Sequence, residues 1–179
     1  GDLPTVDATS AAFIAYTSGT TGAPKGAVLT HANLLAGSQS LKQVWEWTAS
    51  DRLVLALPLF HMHGLGICLN TLLLAGSSAV VLEKFTVDGV FDAIAEFNAT
   101  MFSGVPTMYS RIAASDRVTE LASLRVAMSG SAPLPISVWN RIAKRSGVQI
   151  LERYGMTETV VLTSNPVDGM RKAGTVGRP

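Results

Sequence analysis

The run Tyr16-Thr17-Ser18-Gly19-Thr20-Thr21-Gly22-Ala23-Pro24-Lys25-Gly26 gathers four Ser/Thr hydroxyls, three glycines and one lysine at the end of the apolar stretch Ala11–Tyr16. Glycine lets a backbone turn tightly and approach a ligand closely. Hydroxyls, backbone N–H groups and an ammonium are what a polyphosphate needs around it. The run therefore predicts a loop that holds the phosphates of a nucleotide. It is not the Walker-type loop, because Gly19 and Gly22 are too close together and Lys25 is followed by Gly26. No three glycines take the spacing of the dinucleotide G-x-G-x-x-G pattern. A plain surface hairpin turn rich in Ser, Thr and Gly is the competing reading.

Three further loops carry reactive residue types. Pro58-Leu59-Phe60-His61-Met62-His63-Gly64 places two histidines two residues apart. No Cys or third His stands at ligand spacing, so pocket lining is favoured over zinc. Ser129-Gly130-Ser131-Ala132-Pro133-Leu134 offers small residues that let backbone groups meet a flat ring edge, or a simple strand-to-helix turn. Arg153-Tyr154-Gly155-Met156-Thr157-Glu158 supplies an aromatic face, a hydroxyl and a carboxylate. Triphosphate chemistry uses Mg²⁺, whose protein ligands are usually one or two carboxylates. Taken alone, Glu158 reads equally as a solvated surface charge.

Short apolar runs alternate with helical patterns and must position these loops. Strands are expected at Ala12–Tyr16, Ala27–Leu29, Leu53–Leu57, Ala79–Leu82, Thr100–Ser103, Arg125–Met128 and Gln149–Glu152. Helices are expected at His31–Trp47 behind Thr30 as N-cap, at Leu65–Ala75, at Val87–Asn98, and at Pro106–Ser115 and Pro135–Ser146, each opened by proline. The alternation predicts an α/β fold of βαβ units, a mainly parallel sheet with flanking helices. Ligands in such sheets sit beyond the carboxyl ends of the strands. Residues 1–10 read as a linker and 11–179 as one domain.

Net charge +1 with no Lys/Arg block gives no nucleic-acid signal. The lone Cys68 excludes an internal disulfide and suits a reducing, cytoplasmic setting. Gly1–Ser10 lacks the features of a signal peptide. Leu65–Leu82 carries no charge, but Asn70 and Gly76-Ser77-Ser78 interrupt it, favouring a buried helix, a turn and a strand over a membrane span.

Together these segments resemble the adenylate-forming enzymes: acyl- and aryl-CoA synthetases, nonribosomal adenylation domains and luciferases. Tyr16–Gly26 and Tyr154-Gly-Met-Thr-Glu158 are similar to two signature motifs of that family. Leu57–Gly64, Ser129–Leu134 and Gly174-Thr-Val-Gly177 are similar to three others, in the family's order. The resemblance implies the fold of that family's large N-terminal domain. It implies that Thr17, Ser18, Gly19, Thr20, Thr21, Gly22 and Lys25 hold the ATP phosphates, with Thr20 and Lys25 contributing to catalysis. It implies that Ser131, Ala132 and Pro133 edge the adenine, that Tyr154 and Gly155 lie against the nucleotide, that Thr157 touches the α-phosphate and that Glu158 ligates Mg²⁺. His61 would gate the acyl and thiol pocket, with Met156 beside the acid. ATP, Mg²⁺ and coenzyme A are the implied cofactors, and a small carboxylic acid the partner.

Nonribosomal adenylation domains place an aspartate in the motif matching Leu57–Gly64, and none is present, which favours a simple acid. Gly104–Arg111 and Glu152–Thr159, followed by Thr163–Pro166, look most like malonyl-CoA synthetases. That resemblance implies a cation for the second carboxylate, with Arg111 the candidate and Ser129 or Ser131 adding a hydroxyl. A medium- or long-chain acid is the alternative. A non-catalytic nucleotide-binding module is the alternative of another class. The family's ribose-binding aspartate motif and lysine-bearing C-terminal domain are expected to lie outside these 179 residues, so the chain alone is expected to be inactive. Its apolar residues make self-association plausible.

Overall fold

The computed structural model describes residues 4–17 and 22–179. Strands β1 (Ala11–Thr17) and β2 (Lys25–Thr30) pair with each other antiparallel, Tyr16 opposite Gly26 and Thr17 opposite Lys25. They form a two-stranded sheet separate from the main one. The two ends of the Tyr16–Gly26 run are thus strand residues paired with each other, as the hairpin reading expects. Just before β1, the Ser10 N–H bonds Asp7 O, and Ala8 O accepts from Ala32 N–H. The expected linker is therefore tied to the next helix at its downstream end.

That helix, α1 (His31–Val44), begins where predicted: Thr30 and Asn33 form a reciprocal capping box. It stops short of Trp47 because Trp45 and Trp47 turn inward and are fully buried. Their indole N–H groups donate to Ser164 Oγ at 2.9 Å and Ser77 Oγ at 2.8 Å.

The main sheet runs β4-β3-β5-β6-β7-β8, with β3 (Arg52–Leu55), β4 (Ser78–Val81), β5 (Met101–Gly104), β6 (Val126–Ser129), β7 (Leu151–Tyr154) and β8 (Thr163–Ser164). The first five in spatial order are parallel, and β8 is antiparallel to β7. Two-residue side-chain alternation splits the strands between two cores. Val54, Phe102 and Ala127 face α3 (Val87–Phe97), α4 (Pro106–Ala114), the 3₁₀ segment Asp116–Ser123 and α5 (Ile136–Ser146). Leu53, Leu55, Met101, Met128 and Leu151 face Trp45, Trp47, Ile67, Cys68 and Leu72 on the other side. Both faces being covered explains why these strands read as short apolar runs rather than alternating ones.

The predicted helix Leu65–Ala75 is corrected. It starts earlier and has two parts, a π-helical stretch His63–Leu69 and α2 (Asn70–Ala75). A Cβ at Gly64 would strike Pro58 O, and one at Gly66 would strike Met62 Sδ. The glycines let the loop close onto the widened turn, which seats His63 inward. No helix among the described residues is long and apolar enough to cross a membrane.

The amino edge of the sheet is fastened by charge. Buried Asp51 accepts from Arg125 Nε at 3.1 Å and Nη2 at 2.8 Å, from Thr100 Oγ1 at 2.8 Å and from Thr48 N–H at 2.9 Å. Burial alone would raise the Asp51 pKa, but the Arg125, Thr48 and Thr100 bonds outweigh it and hold the carboxyl below its ordinary value. Its contribution to stability is therefore present above the unfolded-state value near 3.8 and is lost as pH falls through the lower folded value. Asp51→Asn should cost about 1–2 kcal/mol at pH 7, because the buried carboxylate loses its charge-assisted bonds to Arg125, whose side chain is partly solvated. Urea unfolding should show the gap to wild type closing as pH falls below 3.8. A gap that persists there would mean packing, not charge, holds this edge.

Candidate active site

The carboxyl edge gathers the loops that carry chemistry. Loop 56–62 follows β3, the Ser129–Leu134 turn follows β6, and residues 155–162 join β7 to β8. Phe60 and His61 stack with ring centroids 5.7 Å apart at the exposed lip. Ser131, Ala132 and Pro133 are exposed, with Ser131 in the left-handed region at φ 71°. Tyr154 and Met156 are exposed at the end of β7, Gly155 and Thr157 are half-buried, and Glu158 is exposed. A Cβ at Gly155 would strike Val160 O, so only glycine permits this hairpin to fold back. Val160 itself is buried with φ 63°, a strained value for a β-branched residue.

Of the predicted phosphate-loop residues, Thr17, Gly22 and Lys25 are described and stand at the two ends of the hairpin tip. Gly22 has φ 100°, and the Thr17 hydroxyl lies 3.5 Å from Lys25 O. Ser18, Gly19, Thr20 and Thr21 lie outside the described residues. Arg111 is exposed, in the last turn of α4. Helix α4 leaves the carboxyl edge at Pro106, so Arg111 stands about 7–8 Å down its axis, away from the loops.

The structure brings forward residues that the sequence reading passed over. Glu152 and Arg153 are adjacent on β7 and point to opposite faces. Glu152, 4% exposed, accepts from Leu134 N–H at 3.2 Å through Oε2 and from Gly174 N–H at 3.2 Å through Oε1. Burial raises its pKa, partly opposed by these two donors. Asn165 Nδ2 reaches both Glu152 O at 3.0 Å and Thr175 O at 2.7 Å. One carboxylate and one amide thus join three of the sequence motifs into a single rim.

Arg153 points to the other face, the one occupied by the π-helical stretch. Parallel register puts Ser103 beside Met128 and Met128 beside Leu151, so Arg153 lies on the same face two residues beyond that row. It is 4% exposed, and its Nε and Nη2 have no hydrogen-bond partner among the described residues. Gly130 leaves room for it: a Cβ there would come within 2.5 Å of Nε and Cζ. Burial pulls the Arg153 pKa down to about 10.

His63, 6% exposed, lies close by. Its Nδ1 is 3.0 Å from Ser131 Oγ and its Nε2 is 2.9 Å from Ser103 Oγ. Burial first, then the charges of Arg153 and His61, hold its pKa well below the ordinary histidine value, so the ring is neutral at pH 7. The Cys68 thiol beside Ser103 is pushed up to about 11 by burial. The Ser129 hydroxyl is buried without a partner among the described residues. An arginine inside a strand that otherwise reads as buried was the available signal for this pocket. It gains meaning only when the partner loops are seen in place.

No cluster of three or more His, Cys, Asp or Glu side chains suited to a metal occurs among the described residues.

The profile of the AMP-binding enzyme family matches residues 2–179. The chain belongs to the AMP-binding enzyme family. Among members of the family, it is 42% identical to a malonate–CoA ligase of Arabidopsis thaliana over 94% of this chain and 31% of that protein. The ATP-bound structure of MatB from Rhodopseudomonas palustris superposes with TM-score 0.91 and 45% identity, over 96% of this chain and 34% of that one. A malonyl-CoA ligase in a ternary product complex with methylmalonyl-CoA and AMP superposes with TM-score 0.92 and 45% identity, over 100% of this chain and 40% of that one. The chain spans about a third of the length of the curated relatives it matches. Its α/β sheet with flanking helices is that of the large domain of these AMP-binding enzymes.

Proposed function

We propose that this chain is the nucleotide- and acid-binding part of an acid–thiol ligase whose acid is a small dicarboxylate of the malonate type. A carboxylate oxygen attacks the α-phosphorus of ATP, the bond to the bridging oxygen breaks, and pyrophosphate leaves with the electron pair. The thiol of coenzyme A then attacks the acyl carbon and releases AMP. Lys25 and the hydroxyls of the hairpin tip meet the charge growing on pyrophosphate, while Thr157 lies towards the α-phosphate. Glu158 would hold a Mg²⁺ ion, which supplies further charge neutralisation. Ser131, Ala132 and Pro133 take the adenine edge, with Tyr154 and Gly155 against the nucleotide. His61 gates the acyl and thiol entrance, and Met156 borders the acid. A reducing compartment, the cytoplasm in this reading, suits the buried Cys68 thiol. The exposed apolar outer face of the hairpin, Ile14, Tyr16 and Val28, supports self-association of the isolated chain.

One observation carries the choice of acid: Arg153 is a buried cation with unpartnered donors, packed against Gly130, the residue before Ser131. A guanidinium matches a carboxylate with two parallel N–H···O bonds, and a buried one is costly until it is matched. Its position favours Arg153 over the exposed Arg111 as the cation for the carboxylate that does not react. The test is ATP–pyrophosphate exchange by the full-length protein with malonate, propionate and octanoate. Malonate should be activated at least about tenfold more efficiently than propionate, the size of one lost charge-assisted bond. Octanoate activated as well as malonate would overturn the assignment in favour of a longer-chain acid. ATP binding without exchange for any acid would favour a nucleotide sensor.

A further inference from the structure

Four polar groups lie in a row from the interior to the pocket: the Cys68 thiol, Ser103 Oγ, the His63 ring and Ser131 Oγ. The row spans three elements, since Ser103 ends in β5, His63 opens the π-helical stretch and Ser131 is in the turn after β6. Its direction follows from donor and acceptor strength. The Ser103 hydroxyl is fully buried and has two neighbours to donate to, a protonated thiol and an imidazole nitrogen. Thiol sulfur is the weaker acceptor, so Ser103 donates to Nε2. A neutral imidazole carries one N–H, which then sits on Nδ1 and donates to Ser131 Oγ. The Ser131 proton is left to point away from His63, and Gly130, the residue before Ser131, packs against the Arg153 guanidinium. A carboxylate only accepts hydrogen bonds, so this is the orientation it needs.

Resting on the dicarboxylate reading above, we propose that His63 is a positioning residue that orients the Ser131 hydroxyl as a donor to the unreacting carboxylate, alongside Arg153. His63 touches neither the reacting atoms nor the nucleotide. It selects the acid by fixing one hydroxyl and by holding the Ser131 backbone in its left-handed conformation.

The test uses the two amides that each mimic one ring nitrogen. In His63→Asn the amide nitrogen replaces Nδ1 and keeps the bond to Ser131. In His63→Gln the amide oxygen takes the place of Nε2 as acceptor and keeps only the bond from Ser103. The readout is the ratio of kcat/KM for malonate to that for propionate in the full-length protein. His63→Gln should lower the ratio about 10- to 100-fold, the effect of one hydrogen bond to a charged group, mainly through KM for malonate. His63→Asn should restore most of it. Ser131→Gly removes the hydroxyl at a backbone angle glycine tolerates, so it tests the same bond should the His63 variants not fold. It should lower the ratio by the same factor, and the double variant should fall no further. A high wild-type ratio unchanged in His63→Gln and Ser131→Gly would overturn the role of His63 alone, leaving a core histidine. Equal losses for both acids would do the same. A wild-type ratio near one would overturn the dicarboxylate reading and this inference with it.

Discussion

Arg153→Met should give a protein that is more stable than wild type and unable to use malonate. The side chain is 4% exposed, and its Nε and Nη2 have no partner among the described residues. Its folded-state pKa is pulled down by burial to about 10. A cation whose pKa falls on folding opposes folding at neutral pH, and the penalty fades only as pH rises through that value. Methionine keeps most of the stem volume and removes the charge, so unfolding should become about 1–3 kcal/mol harder without ligand. The loss of function should be far larger. Two charge-assisted bonds to the second carboxylate, at ~1.5–3 kcal/mol each, correspond to roughly 10²–10⁴ in kcat/KM for malonate. Propionate activation should change much less. Melting curves with and without malonate separate the outcomes: malonate should protect wild type and leave the variant unmoved. Gly130→Ala should lose malonate in the same way with Arg153 still present, because the added Cβ would come within 2.5 Å of Nε. A large drop in melting temperature with equal loss for all acids would make Arg153 a structural residue.

Glu158→Ala should leave the fold untouched and nearly stop adenylate formation. The carboxylate is exposed, so its removal should move stability by no more than about 0.5 kcal/mol. In transfer from a triphosphate, positioning and charge neutralisation supply most of the rate, and deleting one such group costs about 10²–10³. Pyrophosphate exchange should fall by at least that factor, and part of the loss should be recovered at high magnesium. Wild-type exchange at every magnesium concentration would remove Glu158 from the metal site.

The strands were legible because both faces of the sheet are covered, which leaves short apolar runs such as Leu53–Leu57 between turn residues. Most began or ended a residue or two from their expected limits, since pairing with neighbours, not composition, fixes strand ends. Helix α1 began where Thr30 predicted, because a cap is a local bond. Its far end was set by Trp45 and Trp47 turning into a distant core. The 3₁₀ segment Asp116–Ser123 and the short β8 were missed because neither has the length to show a period. The π-helical start at His63 was missed because the reason for it, the approach of Pro58 and Met62 to Gly64 and Gly66, lies in packing.

The candidate site divides in the same way. The residues expected to touch the nucleotide, Thr17–Lys25, Ser131–Pro133 and Tyr154–Glu158, sit in contiguous motifs, because phosphates and a ring edge are held by short loops at strand ends. The sequence by itself therefore determined the family, the parallel architecture and the edge where the candidate loops gather. The proposed acid pocket depends on tertiary structure alone. Arg153, His63, Ser103 and Ser131 come from four separate segments, and only the sheet register and the widened turn at His63 set them side by side. A charge in a strand costs too much to be neutral there, yet which group it waits for depends on neighbours far away along the chain.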